Sequence, residues 1–171
     1  MNYITLVTIE IEAESDARKE PAVISADRAI PILSATAQDI AQKAGRSGDL
    51  RIELSPLAFR CGEEDLRSIA QHLIENAFGF SPAGSPVTVT FRLVNGHPTL
   101  SVEDGGRGMT PEQIEQIGMF MQFERKRFEQ QGLGIGLALV KRLLDRNQAH
   151  FRFVSTPGRG TTVFVEFQTG R

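Results

Sequence analysis

The chain has 171 residues, of which 40% are hydrophobic, and a formal net charge of −2 at pH 7. This length and composition fit one globular domain with a hydrophobic core, and the charge gives no sign of a nucleic-acid-binding or membrane-binding surface. No apolar run approaches the roughly 20 residues that span a bilayer, and the N-terminus lacks the order of a signal peptide. We therefore expect a cytoplasmic location and, because Cys61 is the single cysteine, no internal disulfide.

The N-terminal stretch carries a strand pattern followed by a charged connection. Residues 3–11 are rich in Ile, Val and Thr, as strands are, and residues 12–21 are mostly charged and end in proline. We therefore predict two parts, an N-terminal strand with a charged linker over residues 1–25 and a single domain over residues 26–171.

A first amphipathic helix is predicted between residues 26 and 44. Its apolar residues recur at steps of three and four, Pro31 is tolerable in the first turn, and Gly45 provides a stop. Two short strands are predicted after it, at residues 50–54 and 57–61.

The second helical pattern, over residues 63–78, places polar side chains at defined angles. At about 100° per residue, His72 and Asn76 fall on one flank of the apolar stripe, and Glu75 falls on the opposite side. We therefore expect His72 and Asn76 to face a cleft beside the core and Glu75 to face water.

An antiparallel hairpin is predicted from two alternating runs, residues 87–94 and 99–103, which a turn at residues 95–98 separates. The second run brings Asp104 to the end of the sheet, where a glycine-rich turn follows at residues 105–109. A carboxylate there can accept a hydrogen bond from an exocyclic amine, and the missing side chains let a flat ring approach the backbone. Taken alone, this stretch fits an ordinary Asp-Gly β-turn equally well.

A short helix at about residues 111–118 leads into residues 119–131, where phenylalanines flank the basic cluster Arg125, Lys126 and Arg127. Basic side chains on a mobile segment can close over a polyphosphate. On composition alone, the same segment fits a charged helix face.

Three glycines on alternate positions, Gly132, Gly134 and Gly136, precede a helical pattern that continues beyond Leu137. A glycine loop that enters a helix N-terminus offers free backbone N–H groups and the positive end of the helix dipole, which suits phosphate. A tight packing turn explains such a loop as well, so the choice between a phosphate site and a packing turn depends on the neighbouring motifs. A final hairpin is predicted over residues 151–168.

In this order, the motifs resemble those of the catalytic and ATP-binding domain of sensor histidine kinases, which belong to the GHKL or Bergerat-fold ATPases. The resemblance covers about residues 26–167, and it is specific because five motifs follow the family's order. They are the asparagine box at residues 72–82, the first glycine box at 104–108, the phenylalanine box at 120–125, the second glycine box at 132–137 and the threonine strand at 160–162.

The resemblance implies where an adenine ring would bind. Asp104 would accept the adenine amino group, with Thr161 completing that recognition directly or through water, and Phe80 would lie against the ring. Two glycines would admit the ring and a methionine would pack beneath it. These three residues are Gly106, Gly108 and Met109.

The resemblance also implies the phosphate and metal contacts. Asn76 would coordinate Mg²⁺, which bridges the nucleotide phosphates, because an amide oxygen suits a hard cation that keeps much of its water. Arg125 or Lys126 would neutralise the γ-phosphate, and backbone N–H groups of the second glycine box would hold the phosphates. The other implied nucleotide-binding positions in this region are Gly132, Gly134, Gly136, Leu137, Phe120 and Phe123.

Two positions bear on catalysis. His72 stands where ordinary sensor kinases carry asparagine and chemotaxis kinases carry histidine. It is therefore a candidate catalytic group that orients or deprotonates the phosphoryl acceptor, or else a histidine hydrogen-bonded at the edge of the cleft. Gly79 stands where kinases usually carry lysine or arginine, so one phosphate contact is missing. None of the three histidines has a phosphoacceptor's sequence context, so the acceptor is expected on another domain or partner.

The implied fold is α+β, a two-layer α/β sandwich with a mixed, mostly antiparallel sheet, helices on one face and a flexible ATP lid. The implied function is transfer of the ATP γ-phosphoryl group to a histidine on a separate dimerisation and phosphoacceptor domain, with a response regulator downstream in two-component signal transduction. The alternatives are a stand-alone anti-sigma-type serine kinase, an ATP-gated switch and a degenerate nucleotide-binding regulatory module.

Overall fold

A computed structural model describes residues 7–11, 21–122 and 135–170, and for residues 7–11, 118–122, 135 and 137 it describes the backbone alone. Within these residues, no helix has the length and apolar character needed to span a membrane.

The described residues form eight strands and four α-helices. The strands are β1 (Val7–Ile11), β2 (Val23–Ile24), β3 (Leu50–Leu54), β4 (Phe59–Arg60), β5 (Val87–Val94), β6 (His97–Asp104), β7 (His150–Thr156) and β8 (Gly160–Glu166). The helices are α1 (Ala26–Lys43), α2 (Glu63–Phe80), α3 (Pro111–Gln122) and α4 (Ile135–Arg146).

Six strands form one sheet in the order β1-β7-β8-β6-β5-β3, and β2 pairs with β4 in a separate ribbon. Every neighbouring pair in the large sheet is antiparallel except β3 with β5. The predicted mixed, mostly antiparallel sheet is therefore confirmed. Its register places Asp104 between Val87 on one side and Thr161 on the other, which brings the ends of three strands together.

The hydrophobic core lies between this sheet and the buried faces of α1, α2 and α4. Phe59, Phe91 and Phe167 are fully buried, and the Phe59 ring centroid lies 4.8 Å from each of the other two. Tilted aromatic packing at this distance stabilises a core beyond the apolar area that it buries. The core thus holds the ribbon strand β4 against the sheet.

Several local features differ from the sequence predictions. The strand predicted at residues 57–61 covers only Phe59–Arg60, and β6 begins at His97, which was predicted to lie in the turn. Helix α2 continues through Gly79 to Phe80, and α3 continues to Gln122. Pro31 is the sixth residue of α1 and lies in its second turn, so its predicted place in the first turn is wrong. The helix begins at Ala26, as predicted, and the Ser25 carbonyl accepts hydrogen bonds from the Arg28 and Ala29 amides. The domain boundary between residues 25 and 26 remains a prediction.

A buried polar network joins the start of α2 to the end of α4. The Asn147 side chain is 1% exposed, and its Nδ2 donates to Asp65 Oδ2 and to the Leu143 carbonyl, both at 2.7 Å. Its Oδ1 accepts a hydrogen bond from the Gly62 amide at 3.1 Å. The Arg146 guanidinium binds both carboxylate oxygens of Asp65. This network fixes the relative position of the two helices.

Replacement of Asn147 by alanine should lower the free energy of unfolding by roughly 2–3 kcal/mol, because it leaves the Gly62 amide without its acceptor and removes hydrogen bonds to the Asp65 carboxylate and the Leu143 carbonyl. Urea unfolding followed by circular dichroism measures this change. Lys43→Ala is the control, since it removes an ion pair with Asp39 in which both side chains are largely exposed and should leave the midpoint unchanged. Equal midpoint shifts in the two variants would contradict the role of the network.

Candidate functional site

A cavity of about 270 Å³ lies between α2, the strands β6 to β8 and the first turn of α4. Its walls are largely apolar, and Phe151 and Phe153 contribute from β7. The polar side chains that line it belong to Asn76, Asp104 and Thr161. An apolar cavity with a few convergent polar groups is the usual form of a small-molecule site.

Asp104 is the last residue of β6 and is 8% exposed. Its Oδ1 accepts a hydrogen bond from the Gly106 amide at 2.8 Å. Burial raises the pKa of Asp104 above its ordinary value, in spite of backbone N–H groups of Gly106 and Thr161 that lower it. The structure therefore holds a desolvated acceptor at the cavity wall.

Glycines let three backbone segments touch beside Asp104. A methyl group on Gly106 would overlap the Phe80 carbonyl and lie 2.6 Å from Asp104 Oδ1. Gly108 has a φ of +65° and its missing side chain faces the end of β7, whereas Gly160 has a φ of +102° and faces the Asp104 carbonyl. Since an L-residue with a side chain would be strained and would clash there, these positions require glycine.

Ser155 holds this turn to the β7–β8 hairpin. Its buried Oγ accepts from the Met109 amide at 2.9 Å and donates to the Gly160 carbonyl at 3.0 Å. It also lies 2.9 Å from Thr161 Oγ1. Ser155 was not predicted as a site residue from the sequence, although strand alternation places it on the same inward face as Phe153.

Helix α2 presents its predicted polar side chains as expected. Asn76 lines the cavity, and Glu75 is exposed. His72 Nδ1 lies 2.7 Å from the Ser68 carbonyl oxygen, which can only accept, so Nδ1 donates and Nε2 of the neutral ring is left as an acceptor. A methyl group on Gly136 would lie 3.0 Å from His72 Cδ2, so the imidazole lies at the start of α4.

Phe80, at the end of α2, has an unusually exposed aromatic ring. The residue is 52% exposed, and the Arg107 guanidinium carbon lies 5.2 Å from the ring centroid. Nearby Gly79 has no atom within 4 Å of the position where a side chain would begin, so nothing in the described structure requires glycine there.

Most of the predicted site positions lie around this one cavity or form its wall. These are Asn76, Phe80, Asp104, Gly106, Gly108, Met109, Gly136 and Thr161, with His72 beside Gly136. Phe123, Arg125, Lys126, Gly132 and Gly134 lie outside the described residues, as do the side chains of Phe120 and Leu137.

The described residues contain no group of three or more His, Cys, Asp or Glu side chains that could hold a metal ion. An amide on a cavity wall fits a cation that takes most of its oxygen ligands from substrate and water, as Mg²⁺ commonly does.

The sequence profile of the histidine kinase-, DNA gyrase B-, and HSP90-like ATPase family matches residues 61–171. The chain belongs to this family. The match contains the cavity and every described site residue, from His72 on α2 to Thr161 on β8.

Within this ATPase family, the chain is similar to histidine kinases. It is 35% identical over 117 residues to the cell-division control histidine kinase PdhS of Brucella anthropi, a match that covers 62% of this chain and 11% of PdhS. PdhS of Brucella abortus strain S19 is 33% identical over the same length. The chain therefore corresponds to about a tenth of these relatives.

Solved structures of the ATPase family share the fold. A mycobacterial sensor histidine kinase, MprB, superimposes with a TM-score of 0.66 at 19% identity and covers 87% of this chain and 99% of its own. Full-length ShkA in complex with AMPPNP gives a TM-score of 0.67 at 23% identity, with 90% of this chain and 33% of ShkA covered. The resemblance to the GHKL ATPases and the α+β fold class are therefore confirmed.

Asp104→Asn should increase the free energy of unfolding near pH 7, because the folded wild type buries a charged carboxylate. The raised pKa of folded Asp104 means that the folded chain takes up a proton more readily than the unfolded chain, in which the pKa is roughly 4. As the pH falls through the raised pKa, the wild type therefore gains stability relative to the variant. The difference in free energy of unfolding between the two proteins should shrink towards about pH 4.

Urea unfolding at a series of pH values measures this gap. Glu103→Gln, a matched change at the exposed neighbouring position, should leave stability nearly unchanged across the same range. A gap for Asp104→Asn that does not vary with pH would contradict the assignment of burial as the cause.

Proposed function

We propose that the chain binds ATP in the cavity and that Asp104 recognises the adenine amino group. The observation that carries this proposal is the buried Asp104 carboxylate at the wall of an apolar cavity. A carboxylate accepts hydrogen bonds with both oxygens, so it suits the exocyclic amine of adenine and disfavours a carbonyl at the same place.

The residues present fit an adenine ring. Glycine at position 106 lets the Phe80 backbone lie close to the Asp104 carboxylate, because a methyl group there would overlap the Phe80 carbonyl. Phe80 offers a half-exposed aromatic face, and Thr161 adds a hydroxyl beside Asp104 across the β6–β8 pairing. Aromatic stacking and one directional polar contact together would orient the base.

The residues at the other side of the cavity fit phosphates. Gly136 lies in the first turn of α4, where backbone N–H groups and the helix dipole favour an anion. Asn76 lies on the adjacent wall and would provide one oxygen ligand for Mg²⁺. Bound Mg²⁺ would neutralise part of the phosphate charge during transfer.

We further propose that the chain is the catalytic part of a histidine protein kinase. The similarity to PdhS supports this assignment over a serine kinase. The γ-phosphorus bond to the oxygen of the leaving ADP would break, and a bond to an imidazole nitrogen on a separate dimerisation and phosphoacceptor domain would form. His72 would take or orient the imidazole proton, and its Nε2, which is an acceptor when Nδ1 donates to the Ser68 carbonyl, supports this role. The phosphoryl group would then pass to a response regulator.

Calorimetric titration of ATP, with and without Mg²⁺, tests the binding proposal. We expect saturable binding by the wild type, loss of binding in Asp104→Asn, and loss of the Mg²⁺ dependence in Asn76→Ala. Gln71→Ala is the matched control because this side chain is an exposed amide on the same helix. Absence of ATP binding by a folded wild-type sample would refute the proposal.

Transfer from γ-labelled ATP tests the kinase proposal, with the dimerisation and phosphoacceptor domain of Brucella anthropi PdhS as the offered acceptor. An acid-labile, alkali-stable label that is absent with Asp104→Asn indicates phosphohistidine and supports the proposal. An acid-stable, alkali-labile label would instead indicate a serine kinase. Hydrolysis of ATP with no labelled protein would favour an ATP-gated switch, and binding with no turnover would favour a regulatory module.

A further inference from the structure

Arg46 connects the end of α1 to the end of α2. Helix α1 ends at Lys43 and is followed by Ala44 and by Gly45, which has a φ of +66°. The Arg46 amide donates back to the Ala41 carbonyl at 2.8 Å, and the Gly45 amide donates to the Gln42 carbonyl at 3.0 Å. This pair of hydrogen bonds is the Schellman helix ending, and it sets the direction in which the Arg46 side chain leaves the helix. That side chain is only 10% exposed.

Each of the five N–H donors of the Arg46 guanidinium has an acceptor available. The Nε donates to Asp49 Oδ2 at 2.7 Å, and the two terminal nitrogens donate to four backbone carbonyls. These carbonyls belong to Phe78 and Ser81, both at 2.9 Å, Pro82 at 2.7 Å and Ser85 at 2.9 Å. The guanidinium also lies 4.9 Å from the Phe78 ring centroid.

One of these contacts satisfies a carbonyl that the end of α2 leaves open, that of Phe78, and the other three hold the turn that follows the helix. The last four carbonyls of a helix lack partners within the helix, and a cation there also interacts favourably with the helix dipole. Asp49 extends the same arrangement, because its Oδ2 accepts the Gly84 amide at 2.9 Å. The whole turn from Ser81 to Ser85 is thereby fixed by one side chain and its carboxylate partner.

The fixed turn contacts the glycine turn beside Asp104. Phe80 lies between Phe78 and Ser81, and its carbonyl lies so close to Gly106 that a methyl group there would overlap it. A methyl group on Gly105 would lie 2.5 Å from Ser85 Oγ. The position of the turn after α2 therefore determines where the Gly105–Gly106 backbone can lie, and Gly106 in turn donates to the Asp104 carboxylate.

We propose that Arg46 is a positioning residue of the nucleotide site. It does not line the cavity, and it acts by holding Phe80 and the Gly105–Gly106 turn at the correct distance from Asp104. This inference rests on the proposed ATP binding and deepens it, because it names a residue behind the site that sets adenine affinity.

The test is calorimetric titration of Arg46→Lys with ATP and with ADP. Lysine keeps the charge, but its single nitrogen cannot serve five acceptors in a fixed plane. We expect both dissociation constants to rise by roughly tenfold, with a stoichiometry near one. The two losses should be equal because the change acts on the adenine end, which ATP and ADP share. The loss of affinity caused by Arg46→Lys should be smaller when Phe80 is already replaced by leucine, because Arg46 acts by positioning Phe80.

Arg28→Lys is the matched control, because Arg28 also pairs with a carboxylate, Glu63, at 2.7 Å, but in an exposed position on α1. It should leave both dissociation constants unchanged. If Arg46→Lys does not fold, Asp49→Asn serves as the second variant, because it removes the ionic partner of Arg46 and keeps the size of the Asp49 side chain. That variant should raise the dissociation constants for ATP and ADP equally and by less than tenfold.

Two results would overturn the inference while the proposed function stands. One is a folded Arg46→Lys protein whose dissociation constants for ATP and ADP are unchanged, while Asp104→Asn still abolishes ATP binding. The other is a lower stoichiometry at an unchanged dissociation constant, which would show that Arg46 affects only the folded fraction. Failure of the wild type itself to bind ATP would overturn both the proposed function and the inference.

Discussion

The site depends on the close contact of three backbone segments beside Asp104. The end of α2, the turn after β6 and the start of β8 meet with no side chain between them, which is possible because Gly106 and Gly160 occupy the points of contact. This contact leaves the Asp104 carboxylate buried yet on a cavity wall. Desolvation of that carboxylate costs stability, and the same desolvation strengthens a hydrogen bond to a ligand.

Structural elements behind the cavity hold these segments in place. Ser155 joins the Met109 amide to the hairpin between β7 and β8, and the network around Asn147 joins α2 to α4. The α2–α4 contact would matter for the proposed phosphate binding, because His72 and Asn76 lie on one helix and Gly136 on the other. A cavity that binds a nucleotide across several elements needs such rigid supports, since small displacements weaken all of its contacts together.

Local sequence patterns predicted the parts of the site that local geometry controls. Helical periodicity placed Asn76 towards the cavity and Glu75 towards solvent, and strand alternation placed Asp104 at the end of its hairpin. Arg46 and Ser155 were not predicted. The turn that Arg46 holds lies more than 30 residues away in the chain, and Ser155 looks like an ordinary turn residue in sequence. The pairing of β1 with β7 was also left open, because pairing between distant strands leaves no local pattern.

The central claim is that the Asp104 carboxylate reads the amino group of adenine. Comparison of ATP with inosine triphosphate tests it most directly, because the two nucleotides share ribose and phosphates and differ at the purine 6-position, where inosine carries a carbonyl oxygen. In calorimetric titrations of the wild-type chain, inosine triphosphate should bind at least roughly 100-fold more weakly than ATP, since two acceptors would then face each other. Equal affinity for the two nucleotides would contradict the assignment of Asp104.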